Sequence, residues 1–214
     1  MGNKAVSSSA LPSFESASSK FTAKEISVLK ENFRRLSSNK DYIPYETLSA
    51  VLNLANINNI NYFKKLVLPK FISLFASKKN NGKAINGIDY EDYVSFSSVA
   101  KFGSMEDQKV KLVVLMYEGS KNGNYCLRKS SLKQLLVDAM ICTGSTRDEV
   151  PLKLVEEWVQ SLSPISDIMV DSALTQFSSQ KERIEVSELL NFLKIESSLQ
   201  TFLTMLFQLL DFTN

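Results

Sequence analysis

Side-chain oxygens recur along this chain at spacings suited to a hard cation. In "YEGSKNGNYCLRKSSLKQLL", Glu118, Ser120 and Asn122 take alternate positions, and Gly123 follows where a sharp turn is wanted. Calcium takes roughly six to eight oxygens from a helix-flanked loop, with a bidentate Glu at the twelfth place. Four segments align on that scheme through an apolar residue at the eighth place: Ile43, Ile88, Tyr125 and Ile184. Each departs from it. With Tyr125 eighth, the twelfth place falls on Lys129, a cation that repels the ion. The segment around Ile184 keeps Glu188 at twelve but begins on Phe177 and carries Ser179 and Lys181 at three and five. The segment around Ile88 keeps Asp92 at twelve behind Asn81, Lys83 and Ile85, and the first ends on Thr47 with Glu46 one place early. No segment presents three acids. Glu118, Ser120, Asn122 and Glu188 are the candidate ligands, and the expectation is a chain without bound metal or cofactor.

Other chemistry is scarce. The 214 residues include no His, which excludes His-ligated zinc, a Ser-His-Asp triad and a Cys-His dyad. Cys126 and Cys142 lack the C-x-x-C spacing of a metal or redox pair and read as buried free thiols in a reducing compartment. Seven Gly in all leave no phosphate-cradling loop, and no nucleophile sits beside a base. The acids of "DYEDY" at 89–93 read as helical surface charge, and Trp158 in "VEEWVQSL" as core. The expectation is a non-enzyme. A net charge of +2 with both signs mixed along the chain argues against nucleic acid as partner.

The elements that would carry these residues are helical. Apolar residues make up 44% of the chain, enough for a packed core. Thr22 followed by Glu25 is a capping box, and Ile26, Leu29, Phe33 and Leu36 then lie on one helical face. Helical patterns follow over 45–55, 62–76, 90–101, 106–117, 130–141, 149–162, 165–177, 186–193 and 199–210. Pro69 falls inside the second of these and should kink or split it. Strand-like alternation covers two or three residues at a time. The fold class is therefore all-α, with helix, loop, apolar residue and helix repeating four times. This is the organisation of EF-hands, here two lobes of paired degenerate hands. Residues 1–20 read as a disordered arm, 21–103 as the first lobe and 104–214 as the second, with uneven spacing that requires insertions before the fourth unit. Residues 1–20 have no apolar signal core. "LQTFLTMLFQLLDF" is too short to span a bilayer.

Three stretches carry a family resemblance: "EISVLKENFRRLSSNK", "NGKAINGIDYEDYVSFSSVAKFGSMEDQKVKLVVLMYEGSKNGNYCLRKSSLKQLLVDAM" and "IEVSELLNFLKIESSLQTFLTMLFQLL". The opening Met-Gly-Asn and the first helix resemble calcineurin B-like and recoverin-like proteins. The longer stretches are similar to the N-terminal region of TLDc-domain proteins of the myristoylated, lysosome-associated type. That resemblance implies degenerate EF-hand-like helices followed by a β-rich TLDc domain, and links to the vacuolar proton pump, oxidative-stress tolerance and growth signalling. The chain ends at Asn214, so the expectation is a truncated product or a free-standing regulatory module. Its function would be that of a non-catalytic adaptor, peripheral on a lysosomal membrane or cytoplasmic. The alternative is a calcium-binding sensor or regulatory subunit of the calcineurin B-like kind.

Two ends of the chain look ready for partners. Leu199, Phe202, Leu203, Leu206, Leu209 and Leu210 share one helical face, with Met205 and Phe207 outside it. A helix so widely apolar must be buried on more than one side. The expectation is that Phe202, Met205, Leu206, Phe207 and Leu210 meet a protein partner, a TLDc domain or a second copy of the chain.

At the other end, Gly2 with Asn3, Lys4 and Ala5 suits N-myristoylation, although Val6 stands where Ser or Thr is usual and Ser7 is one late. One acyl chain binds membranes only marginally, so a second contact is needed, for which Lys4, Lys20, Lys24, Arg34 and Arg35 are candidates. Intact mass of the processed chain from cells should show a myristoyl increment on wild type that is lost in Gly2→Ala, with loss of membrane fractionation. Equal masses, allowing for the substitution, would remove the anchor.

Overall fold

A computed structural model describes residues 11–52, 59–74, 79–80, 83–84, 87–104, 108–118, 125–144, 168, 171 and 183–209. The described chain is mostly helical, with short strands only. Order starts earlier than the sequence suggests. Helix α1 (Phe14–Ser18) is capped by Ser13, whose hydroxyl accepts from the Ser16 N–H at 3.3 Å. Ala17 is fully buried where α1 lies along α6 (Tyr90–Phe102). Phe14 tilts onto Tyr90 at 5.9 Å between centroids, and Phe21 meets Phe102 edge-on at 5.0 Å. The end of the expected disordered arm is thus a docked helix. Phe14, Ala17 and Phe21 fall at helical spacing, but the surrounding serines hide that signal.

Helix α2 (Ala23–Ser37) begins as expected. Thr22 accepts from the Glu25 N–H at 3.3 Å while Glu25 accepts from the Thr22 N–H at 2.7 Å. The helix ends where Ser38 and Asn39 turn left-handed, at φ 52° and 62°, which closes the last carbonyls of the helix.

From there a pattern repeats. Strand β1 (Tyr42–Pro44) runs directly into α3 (Tyr45–Leu52), and β4 (Gly87–Asp89) runs directly into α6. Strand β5 (Cys126–Arg128) feeds α8 (Lys129–Thr143), and β6 (Arg183–Glu185) feeds α9 (Val186–Ile195). β1 pairs antiparallel with β4, Ile43 facing Ile88, and β5 pairs with β6, Leu127 facing Ile184. All four of these side chains are buried. Three were expected in these places; the fourth was not. Leu127 and not Tyr125 faces Ile184, two residues further on, because Tyr125 precedes the strand. Gly87 permits the first ladder: a Cβ there would lie 2.3 Å from the Ile43 carbonyl oxygen. A small hairpin, β2 (Lys79–Asn80) with β3 (Lys83–Ala84), stands between them in sequence.

Pro69 was expected to kink or split its helix; the helical run instead continues through it with one turn widened. α4 (Ile60–Tyr62) continues into a π-helical turn, Phe63–Val67, and then α5 (Leu68–Ser73). The Leu68 N–H bonds the Phe63 carbonyl, one residue further back than in an α-helix. The wider turn accommodates a proline that removes an N–H and crowds the carbonyl four residues earlier.

The remaining described helices are α7 (Val110–Glu118) and α10 (Ser197–Leu209). The core runs continuously through both halves, from Leu29 and Phe33 through Phe71 and Phe96 to Val114, Leu135 and Phe202. Phe71 meets Phe96 edge-on at 4.8 Å. Helix α10 packs along α8 and touches α9 and α6. Phe202, Leu206 and Phe207 are buried there, Met205 is half-buried, and the Lys109 ammonium lies 5.3 Å from the Phe207 ring centroid. Among the described side chains, the apolar surface that suggested a partner is covered within the chain at Leu199, Phe202, Leu203, Leu206 and Phe207, where the helix packs against three others. Leu210 lies outside the described residues, as do the expected helices at 149–162 and most of 165–177, with Trp158.

Truncating one ladder residue tests this arrangement. Ile88→Ala should cost about 3 kcal/mol, the usual range for a buried Ile in a site that cannot collapse, read as a drop in the denaturant midpoint at unchanged slope.

Candidate functional site

Two clusters bring chemistry-bearing side chains together among the described residues. The first is at the β5–β6 ladder. Glu118, at the end of α7, was the expected first ligand of the best loop. Its Oε1 accepts from the Arg128 N–H at 2.7 Å, and its Oε2 accepts from the Arg128 guanidinium Nε at 2.9 Å. Burial pushes the Glu118 carboxyl up, but hydrogen bonds from Ser131 and Arg128 outweigh it and hold the group below the usual carboxylate range. The pairing has a local cause. Arg128 stands opposite Arg183 in the ladder, and two like charges face to face need a counterion.

The twelfth place changes as well. With Leu127 eighth, it falls on Ser131, which is buried and bonded to Glu118, and not on Lys129, and the first place moves to Ser120, leaving Glu118 two residues before the loop. Lys129 instead pairs with Asp171. Glu188 accepts from the Glu185 N–H at 2.9 Å and so caps α9 in a capping box. Asp92, expected on the surface, is buried in the first turn of α6, where its N–H bonds the Asp89 carboxylate at 2.8 Å. Ser120, Asn122 and Gly2 lie outside the described residues. Among the described residues no three His, Cys, Asp or Glu groups come together as a metal site.

The second cluster was not anticipated. Asp138, fully buried in the middle of α8, accepts four hydrogen bonds. Tyr62 OH donates at 2.7 Å from α4, Tyr117 OH at 2.6 Å from α7, and Gln134 Nε2 at 2.7 Å from the preceding turn. The Lys70 ammonium of α5 completes the set as an ion pair, and sits 4.7 Å from the Tyr117 ring centroid. Burial first, and then the Asp138 charge, raise the pKa of both tyrosines well above their ordinary value. They remain donors across the physiological range. Burial and the same charge push the Cys142 thiol up, so it stays protonated and is a poor nucleophile. Cys142 is buried as expected, whereas Cys126 is half-exposed.

A carboxylate offers roughly four acceptor positions. All are taken here by donors from within the chain. The cluster is suited to joining α4 and α5 to α7 and α8, not to acid–base work. Its sequence signal is slight: one acid inside "LLVDAMI", with Gln134 one turn before.

Removing one partner strands the others. Lys70→Met should destabilise by about 3 kcal/mol, toward the lower end for a broken buried pair because the lysine is partly exposed. Asp138→Asn should cost a similar amount, and the double variant less than the sum by about 1–3 kcal/mol, as expected for groups in direct contact. Urea unfolding of the four proteins measures this; strict additivity would refute the coupling.

Compared with known proteins, the chain matches no family model and no curated protein sequence.

Proposed function

We propose that this chain is a non-catalytic, EF-hand-like regulatory or adaptor module that works without calcium. In this reading its N-terminus tethers it to an intracellular membrane, and it binds a protein partner there. The observation that carries the reading is the register of the β5–β6 ladder, which makes Leu127 the eighth residue and puts Ser120 and Ser131 at the first and twelfth places. Neither place offers a carboxylate, and Glu118, two residues before the loop, is already held by the Arg128 guanidinium and backbone N–H. The two ladders, each leading straight into a helix, support the EF-hand-like description. The acids near them serve the fold instead, Glu118 as a counterion and Glu188 as a cap. The saturated Asp138 cluster and the protonated Cys142 support a non-catalytic role. The similarity of "EISVLKENFRRLSSNK" and the stretches that follow to TLDc proteins supports the lysosomal membrane as its location. With α10 enclosed, the partner-binding surface lies elsewhere than on Phe202, Leu206 and Phe207.

Millimolar calcium should leave the melting temperature and circular dichroism unchanged. A site of micromolar affinity would instead stabilise the chain by about 4 kcal/mol at a thousandfold excess of calcium over its Kd. A rise of that size, with heat evolved or absorbed in calorimetric titration, would promote the sensor alternative.

A further inference from the structure

We propose that the outward face of the π turn and α5 docks on an anionic lipid membrane. Between Thr47 and Ile88 the chain holds six lysines, Lys64, Lys65, Lys70, Lys78, Lys79 and Lys83, and no Asp or Glu. This window carries +6 in a chain of net charge +2, so the remainder is net −4. The mixing of signs expected from the overall composition fails here. No acid lies three or four residues from Lys64 or Lys65, so the helix itself cannot neutralise them.

The structure shows which of these charges faces outward. Tyr62, Phe63, Val67 and Phe71 are buried, which turns Asn61, Lys65, Leu66, Pro69 and Ser73 to solvent. Leu66 is 40% exposed beside the lysine pair. Lys70 does not contribute, since its ammonium is held by Asp138.

An exposed leucine and proline among lysines match a lipid surface chemically. Lysine is a compact point charge attracted to a diffuse anionic plane. Leu66 and Pro69 supply the apolar contact that enters the boundary between headgroups and acyl chains. Single-stranded nucleic acid fits less well, because it needs exposed rings for stacking, and Tyr62, Phe63 and Phe71 are buried. For its cellular role the surface rests on the membrane-tethered reading, in which it is the second contact that one acyl chain requires.

The test uses the full chain without an acyl group, co-sedimented with phosphatidylcholine vesicles containing or lacking phosphatidylserine. Wild type should bind the phosphatidylserine vesicles selectively and release them at high salt. Lys64→Gln with Lys65→Gln should weaken the partition by about 30-fold, from the usual contribution of a lysine near an anionic surface. Leu66→Ser should weaken it further, with melting temperatures unchanged. Lys30→Gln with Lys40→Gln removes the same charge from exposed positions in and just after α2 and should leave binding nearly intact. Four outcomes would overturn the assignment: no binding by wild type, equal binding to neutral vesicles, an equal loss in the Lys30 and Lys40 variant, or full displacement by single-stranded RNA. Because the protein tested carries no acyl chain, an unmodified Gly2 in cells would sink the tether and leave this result standing.

Discussion

A fully buried carboxylate dictates much of how this chain packs. Asp138 sits inside α8 among Leu135, Leu136, Val137 and Ala139, all of them buried. An ionised group in such surroundings is costly unless it is paired and fully hydrogen-bonded. Donors from α4, α5 and α7 meet that requirement, and each must arrive at a particular place. Tyr62 has to lie at the end of α4, Lys70 just beyond the π turn, and Tyr117 in the last turn of α7. Apolar contacts between the same helices would tolerate sliding by a fraction of a turn. A carboxylate with four donors does not, so this cluster sets how the α4–α5 segment seats on the second half of the chain.

The ladders work in the same direction through different physics. Ile43 with Ile88, and Leu127 with Ile184, tie segments far apart in sequence by backbone hydrogen bonds and buried side chains. Every ladder strand becomes a helix at its next residue, so fixing a ladder also fixes the start of two helices. The acids near these junctions are then needed locally. Asp89 caps α6, Glu188 closes the capping box of α9, and Glu118 balances Arg128. A loop whose carboxylates already serve the backbone and neighbouring cations is stable without an ion. This is the physical basis for reading the chain as a scaffold rather than a sensor.

Charge is divided between interior and surface around Pro69. Lys70 turns inward to Asp138, whereas Lys65 stays outside with Leu66. Both come from one short basic stretch, yet one holds the fold together and the other remains available for an external contact. Lys65 lies within the wide turn that accommodates Pro69, and Lys70 just beyond it.

Local features were legible in the sequence. The Thr22–Glu25 capping box, the disturbance at Pro69 and the helical class follow from side-chain period, capping chemistry and the geometry of proline, all of which act within a few residues, and alignment on a loop scheme located three of the four ladder residues. Other features needed the folded chain. Tyr125 and Leu127 are both apolar enough to face Ile184, and only pairing with β6 chooses between them. The apolar circumference of α10 is plain in the sequence, but not that α8, α9 and α6 would cover it. Nothing local marks Asp138 in the sequence, because its partner Tyr62 is 76 residues away. No periodicity or spacing can report a hydrogen bond that forms only after two distant helices have docked.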